Sequence, residues 1–258
     1  MKFPFSTLLF VAISVFCISV PAQRRPAPAP VKPKTAAAAK RSPEIGQTAT
    51  VLDETLSVLR KEPSLYAESV HRMQRGRKVQ IVGVTEADGV KFFKVTAPPT
   101  NFGWVQADAV FGKFRPGDEE RLAQLVQALT GFDQIETAVY FFDMYPDSKF
   151  RPSILLLFGD LLEEVSAKLS KDATNRLTRK EMAASGAPLH SYYLNFVSLD
   201  RYRKLGITFL FNPATKLFHY DGGSWKELIA KHAAAPEAAD AQKRLDALKA
   251  KMGPPPAK

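Results

Sequence analysis

Cysteine is almost missing from these 258 residues: the one present, Cys17, lies in the apolar N-terminal stretch. If that stretch is removed, disulfides, thiolate metal sites and cysteine nucleophiles are excluded together. Histidine is scarce as well. His71, His190, His219 and His232 are scattered, and no two fall in an H-x-H or H-E-x-x-H arrangement able to hold a metal. No G-x-S-x-G elbow, S-x-x-K pair or phosphate-binding G-x-x-x-x-G-K loop occurs. Glu163 and Glu164 are adjacent on an expected helix, so their carboxylates diverge by about 100° and read as a solvated face rather than a catalytic pair. Asp221-Gly222-Gly223 before Ser224 reads as a turn and helix cap. The sequence therefore predicts no enzyme, no metal and no cofactor.

Acidic residues are absent from the first 43 positions, which carry Lys2, Arg24, Arg25, Lys32, Lys34, Lys40 and Arg41. Removing those seven from the 36 basic residues leaves 29 against 26 acids, so a net charge of +10 falls to +3. The basicity belongs to the N-terminal segment, not to a folded face, and it excludes nucleic acid as the expected partner. Phe3 to Gln23 contains no charge, with Leu8-Leu9-Phe10-Val11-Ala12-Ile13 at its centre and small residues at Val20 and Ala22. This pattern predicts a Sec-type secretory signal over residues 1–22, cleaved after Ala22, and a periplasmic or secreted bacterial protein. The alternative is a retained anchor, in which case the chain associates with a membrane. Phe16 and Ser14 do not supply the small and branched residues that lipidation of Cys17 requires. Residues 23–43, rich in Pro, Ala, Lys and Arg, predict a semi-rigid spacer.

From Gly46 to Phe111 the hydrophobic period is two. Strands are expected over residues 49–52, 56–59, 78–84 and 90–95, with turns at 74–77, 87–89 and 98–101. So many short strands in about 65 residues predict a small barrel. Beyond Arg115-Pro116-Gly117 the period becomes helical. Asp118 is expected to cap a helix carrying Leu122, Leu125, Val126 and Leu129. A second helix carries Ile135 to Phe142 and stops at Tyr145-Pro146. A third starts near Pro152 with the stripe Ile154, Leu155, Phe158, Leu161, Leu162, Val165 and Leu169. A mixed polar stretch at 170–188 reads as helix end plus loop, followed by a helix over 191–205. Residues 207–211 and 216–220 flank Asn212-Pro213-Ala214-Thr215 as a β-hairpin, and helices follow at 224–232 and 236–251.

Four pieces of the β segment come in the order found in bacterial SH3-like (SH3b) domains. They are Leu56-Ser57-Val58-Leu59-Arg60 with Glu62-Pro63-Ser64, Met73 to Val79, Phe92-Phe93-Lys94-Val95, and Gly103-Trp104-Val105 with Ala107 to Val110. Residues 44–114 resemble that family, although Leu59 and Phe92 replace its usual small or polar residue and its tryptophan. The resemblance implies a small β-barrel of exported proteins that binds cell-wall peptides or acts as a spacer. An extended ligand needs a groove lined by aromatic faces. Tyr66, Phe92, Phe102 and Trp104 could line one, and of these Tyr66, Phe92 and Trp104 are the candidate ligand-binding residues, with Phe92 pointing away from Phe93 and Val95. Ala138 to Ser148, with Tyr145-Pro146, resembles the tetratricopeptide-like repeats of envelope assembly proteins, and Trp225 to Leu245 resembles a weaker second copy. This implies a protein-binding helical surface over 117–251, with the hairpin as an insert and a tail at 252–258. The expected fold is α+β and multidomain. The expected function is an envelope adaptor whose SH3-like part engages peptidoglycan or a peptide while the helices dock a protein partner. The alternatives are a purely structural accessory subunit of an envelope complex and an uncharacterised cell-wall hydrolase.

Overall fold

The computed structural model describes residues 42–97 and 101–253. The signal segment, the spacer up to Arg41, most of the 98–101 turn and the last five residues lie outside that range. The described residues form one compact unit in which a β part and an α part are packed together. Among the described residues it contains eight α-helices, a seven-stranded antiparallel sheet and a two-stranded hairpin.

The sheet comprises β1 (Thr48–Val51), β2 (Val58–Arg60), β3 (Ser69–Arg72), β4 (Lys78–Ala87), β5 (Val90–Ala97), β6 (Asn101–Gln106) and β7 (Val110–Phe111). Its order is β3-β2-β6-β5-β4-β1-β7. The expected barrel is not closed: β3 and β7 remain edges. They are only four and two residues long, too short to supply a closing ladder, and β7 runs on into the helical part instead. The sheet is organised by the β4–β5 hairpin. Asp88 and Gly89 at its tip both have positive φ, 52° and 72°, the backbone of a tight two-residue turn whose twist matches the strands. A register shift between Ile81 and Gly83 then bends the ladder. The period-two pattern sends Ala49, Val51, Leu59, Val79, Ile81, Phe93, Val95 and Val105 to one face, where they form the β core.

The helices are α1 (Asp118–Ala128), α2 (Gly131–Met144), α3 (Arg151–Arg176), α4 (Arg179–Ser185), α5 (Leu189–Leu194), α6 (Asp200–Arg203), α7 (Gly223–Lys231) and α8 (Ala238–Met252). The hairpin strands are β8 (Phe209–Asn212) and β9 (Leu217–Tyr220). Pro152 sits in the first turn of α3, where its missing N–H costs nothing. The 26-residue α3 is the centre of the α part and packs on β9, α7, α2 and α8. Among the described residues no helix is long and apolar enough to cross a membrane.

Three expectations need correction. Asp118 does not cap α1. Gly117, with φ 83°, holds the cap position, and Asp118 is fully buried one residue inside. Its carboxylate accepts from the Gly112 amide, Arg115 and Arg121 at 3.1, 2.6 and 2.7 Å, because it neutralises two arginines where sheet and helix meet. The 170–188 stretch is not mainly loop: α3 continues to Arg176 and α4 follows. The single helix expected over 191–205 is broken into α5, a 3-10 turn at Val197–Leu199 and α6. Phe196 and Leu199, buried with Tyr202 in the helical core, dictate that bend.

The junction of the two parts is specific. Leu52, just after β1, and Phe111 of β7 belong to the helical core. Gly76, with φ 81°, closes the turn before β4 against α2, and a Cβ there would stand 1.9 Å from the Tyr140 hydroxyl. Beside it the Arg75 guanidinium, 4% exposed, reaches Leu52 O at 3.1 Å, Glu136 at 3.0 Å and Asp133 at 3.1 Å.

Candidate functional site

Antiparallel register decides which side chains share the outer face of the sheet. Arg60 of β2 lies opposite Trp104 of β6, Trp104 lies opposite Lys94 of β5, and Lys94 lies opposite Gly83 of β4. Residues directly opposite one another project to the same side. A transverse row therefore runs Arg60–Trp104–Lys94–Gly83, with the indole between two cations. Lys94 Nζ stands 5.9 Å from the indole centroid, a distance that permits a cation–π contact. Gly83 keeps the end of the row flat: a Cβ there would meet Lys94 Cβ at 3.2 Å and the far edge of the indole at 4.0 Å. Two residues along β6 from Trp104, on the same side, Phe102 is 67% exposed.

The candidate residues separate. Trp104 is half-buried on this face. Tyr66, on the loop between β2 and β3, is 90% exposed. That loop is pinned at two points. Ser64 Oγ and the Leu65 amide donate to Asp88 at the β4–β5 tip at 2.7 and 2.8 Å, and Arg60 Nη1 donates to Ala67 O at 2.8 Å. The Ser64 hydroxyl and the Leu65 amide hold the Asp88 carboxyl below its ordinary value. Arg60 thus links the Tyr66 loop to the Trp104 row. Phe92 does point away from Phe93 and Val95, as its place opposite Gln106 and Thr85 requires, but it is fully buried. A ring with no exposed surface cannot contact a ligand, so Phe92 leaves the candidate set. Phe102, expected to line a groove, joins it, and Arg60 and Lys94 enter it as new members. The alternation in β6, Phe102-Gly103-Trp104, carried the signal for Phe102; the cations were legible only once the register was known.

A second polar cluster escaped the sequence entirely. Glu164 is solvated and paired with Lys168, as expected, but Glu163 is not. Its carboxylate shares hydrogen bonds with His219 Nδ1 at 3.0 Å and accepts from Lys251 Nζ at 2.7 Å and the Tyr220 amide at 3.0 Å. Burial pushes this carboxyl up, but the bonds from Lys251, His219 and Tyr220 outweigh it and hold it below the usual range. The partners lie 56 and 88 residues away in sequence, so no local spacing announces them. The pairing orients the imidazole. Compared with protein-family models, curated proteins and solved structures, the chain matches none.

Proposed function

We propose that this protein is an exported, non-enzymatic adaptor of the bacterial cell envelope. In this reading the β part is an SH3-like module that engages peptidoglycan or a peptide, and the α part, tetratricopeptide-like in its α2–α3 turn, docks a protein partner. The observation that carries the proposal is the outer face of the sheet, where the half-buried Trp104 lies between Arg60 and Lys94 beside the exposed Phe102, with the loop that bears the exposed Tyr66 tied to Arg60. Aromatic surfaces give an extended ligand contact area at low entropic cost, and the flanking cations offer donors to its carbonyls and carboxylates. Peptidoglycan stems carry both groups. An N-terminal secretion signal followed by a proline-rich spacer would hold such a face away from the surface the protein is attached to or released from.

The test is co-sedimentation of the purified mature chain with isolated cell-wall sacculi. Trp104→Ala is expected to weaken binding by about 2 kcal/mol or more while the thermal melt stays cooperative. Lys94→Glu is expected to weaken it through charge alone. If both variants sediment as the parent does, the sheet face is not the binding surface. If the parent does not sediment at all, the peptidoglycan reading is wrong.

A further inference from the structure

The strands of the large sheet carry Arg60, Arg72, Lys78, Lys91 and Lys94 but, as a carboxylate, only Glu86. Glu86 lies opposite Lys91, and strand alternation puts that pair on the side away from Lys94 and Trp104. Lys91 is also paired with Glu44. On the outer face, the cross-strand rows that run through Phe92, Trp104 and Phe102 contain no acid. Basicity is therefore not confined to the N-terminal segment, as the sequence suggested: this folded face carries it too.

Neither cation beside the indole is neutralised. Among the described residues no ion pair involves Arg60 or Lys94. Arg60 spends Nη1 on the Ala67 carbonyl at 2.8 Å, while its buried Nε has no partner. The carboxylates of the β2–β3 loop and the β4–β5 tip do not reach these cations. Glu68 pairs with Lys61 at 2.7 Å, Asp88 accepts from Ser64 and Leu65, and the exposed Glu62 makes no ion pair with either. Thr85, Gln106, Gln80 and Thr96, on the same face, can both donate and accept. Hydrogen bonding there selects no charge; the two uncompensated cations do. They stand two strand spacings apart, about 9–10 Å, with the half-buried indole between them.

We propose that this face selects its ligand by free carboxylates: two of them, carried by an extended peptide stem of the wall, pair with Arg60 and Lys94 while the stem between them lies on Trp104. The proposal rests on the reading of the face as a peptidoglycan-binding surface, and it adds what the ligand must carry.

The experiment titrates the full mature chain with acetyl-Asp-Pro-Pro-Asp-amide, whose polyproline rise of about 3.1 Å per residue sets its carboxylates about 9 Å apart. The Asn-Pro-Pro-Asn counterpart is the neutral control. The readout is tryptophan fluorescence: the chain has two tryptophans, and Trp225, 2% exposed, is shielded from a ligand. The acidic peptide should bind at least about fivefold more tightly than the neutral one, the worth of two exposed ion pairs, and the difference should shrink at high salt. Lys94→Gln should remove most of that difference and Lys94→Arg should restore it. Lys243→Gln, the same change of charge on α8, should leave it unaltered. In a second arm, sacculi whose carboxyls have been amidated should no longer retain the chain that native sacculi retain. Equal affinity for the two peptides, no binding of the acidic one, or equal retention by native and amidated sacculi would each overturn selection by carboxylate, while retention by native sacculi would leave the wall-binding reading standing. Selective peptide binding without retention by native sacculi would overturn the wall as the source and assign the face to an acidic segment of a protein.

Discussion

Gly159 is the point at which α3 comes closest to α7, and replacing it with alanine puts a definite question to the packing. A Cβ built there would lie 2.2 Å from Trp225 Nε1, 2.5 Å from Trp225 Cε2 and 2.8 Å from Ser224 Oγ. The indole cannot swing aside. It is 2% exposed, is held edge-on by Tyr220 at 5.6 Å between centroids, and belongs to the helical core with Leu228, Ala241 and Leu245. Two terms oppose each other. Alanine is the better helix former and on a free helix face would stabilise by about 0.5–1 kcal/mol. Overpacking a close-packed core costs about 1–3 kcal/mol. The clash involves rigid ring atoms rather than the end of a flexible chain, so the second term wins and a net loss of about 1–2 kcal/mol is expected. For a unit of this size that lowers the melting temperature by about 2–8 °C. Differential scanning calorimetry measures it. The double variant Gly159→Ala with Trp225→Leu removes the ring atoms in conflict and leaves only Ser224 Oγ near the new methyl, so its loss should fall short of the sum of the two single losses by about 1 kcal/mol. A melting temperature that rises with Gly159→Ala, or strictly additive losses, would refute this account of the α3–α7 contact.

Phe92→Ala is expected to cost about 3–5 kcal/mol, because a fully buried ring leaves a cavity, whereas Trp104→Ala, on the half-open face, should cost about 1–2 kcal/mol; urea titrations separate the two. Arg75→Met should lose about 2–3 kcal/mol by leaving Glu136 and the Leu52 carbonyl without their donor at the junction, a figure reduced from that of a fully buried pair because Asp133 is 60% exposed. A melt equal to the parent's would show that the junction does not depend on this guanidinium. Hydrogen bonds from Lys91 and Ser42 lower the Glu44 carboxyl from an ordinary 4.5 to about 2. Its folded-state value is depressed, so its contribution is complete above pH of about 4.5 and is lost as the pH falls towards about 2. Glu44→Gln should therefore flatten the stability profile in that window and leave its slope near neutrality unaltered, as denaturant midpoints taken across pH would record.

The sequence by itself determined most of the elements and their order, though not β3, β6 and β7 or the break in the helix expected over 191–205. Period-two runs between turn residues specify strands because alternate side chains face opposite sides of a pleat, and the hairpin around Asn212-Pro213-Ala214-Thr215 is set by Asn212, whose side-chain oxygen accepts from the Ala214 and Thr215 amides. The change to three-and-four spacing after Gly117 likewise fixes where helices begin, and Pro152 and Tyr145-Pro146 fix where one starts and another stops. What only the tertiary structure decided rests on contacts between residues far apart in the chain. Nothing in the local pattern tells that β7 joins the helical core instead of closing a barrel, since that depends on where Phe111 finds apolar partners. Phe92 and Trp104 sit on the same face of adjacent strands, yet one is fully buried and the other half open, a difference that strand alternation alone does not carry. Asp118 and Glu163 look like surface carboxylates in the sequence. The fold gives them arginine, lysine and amide partners, which is the condition under which a buried charge is tolerated.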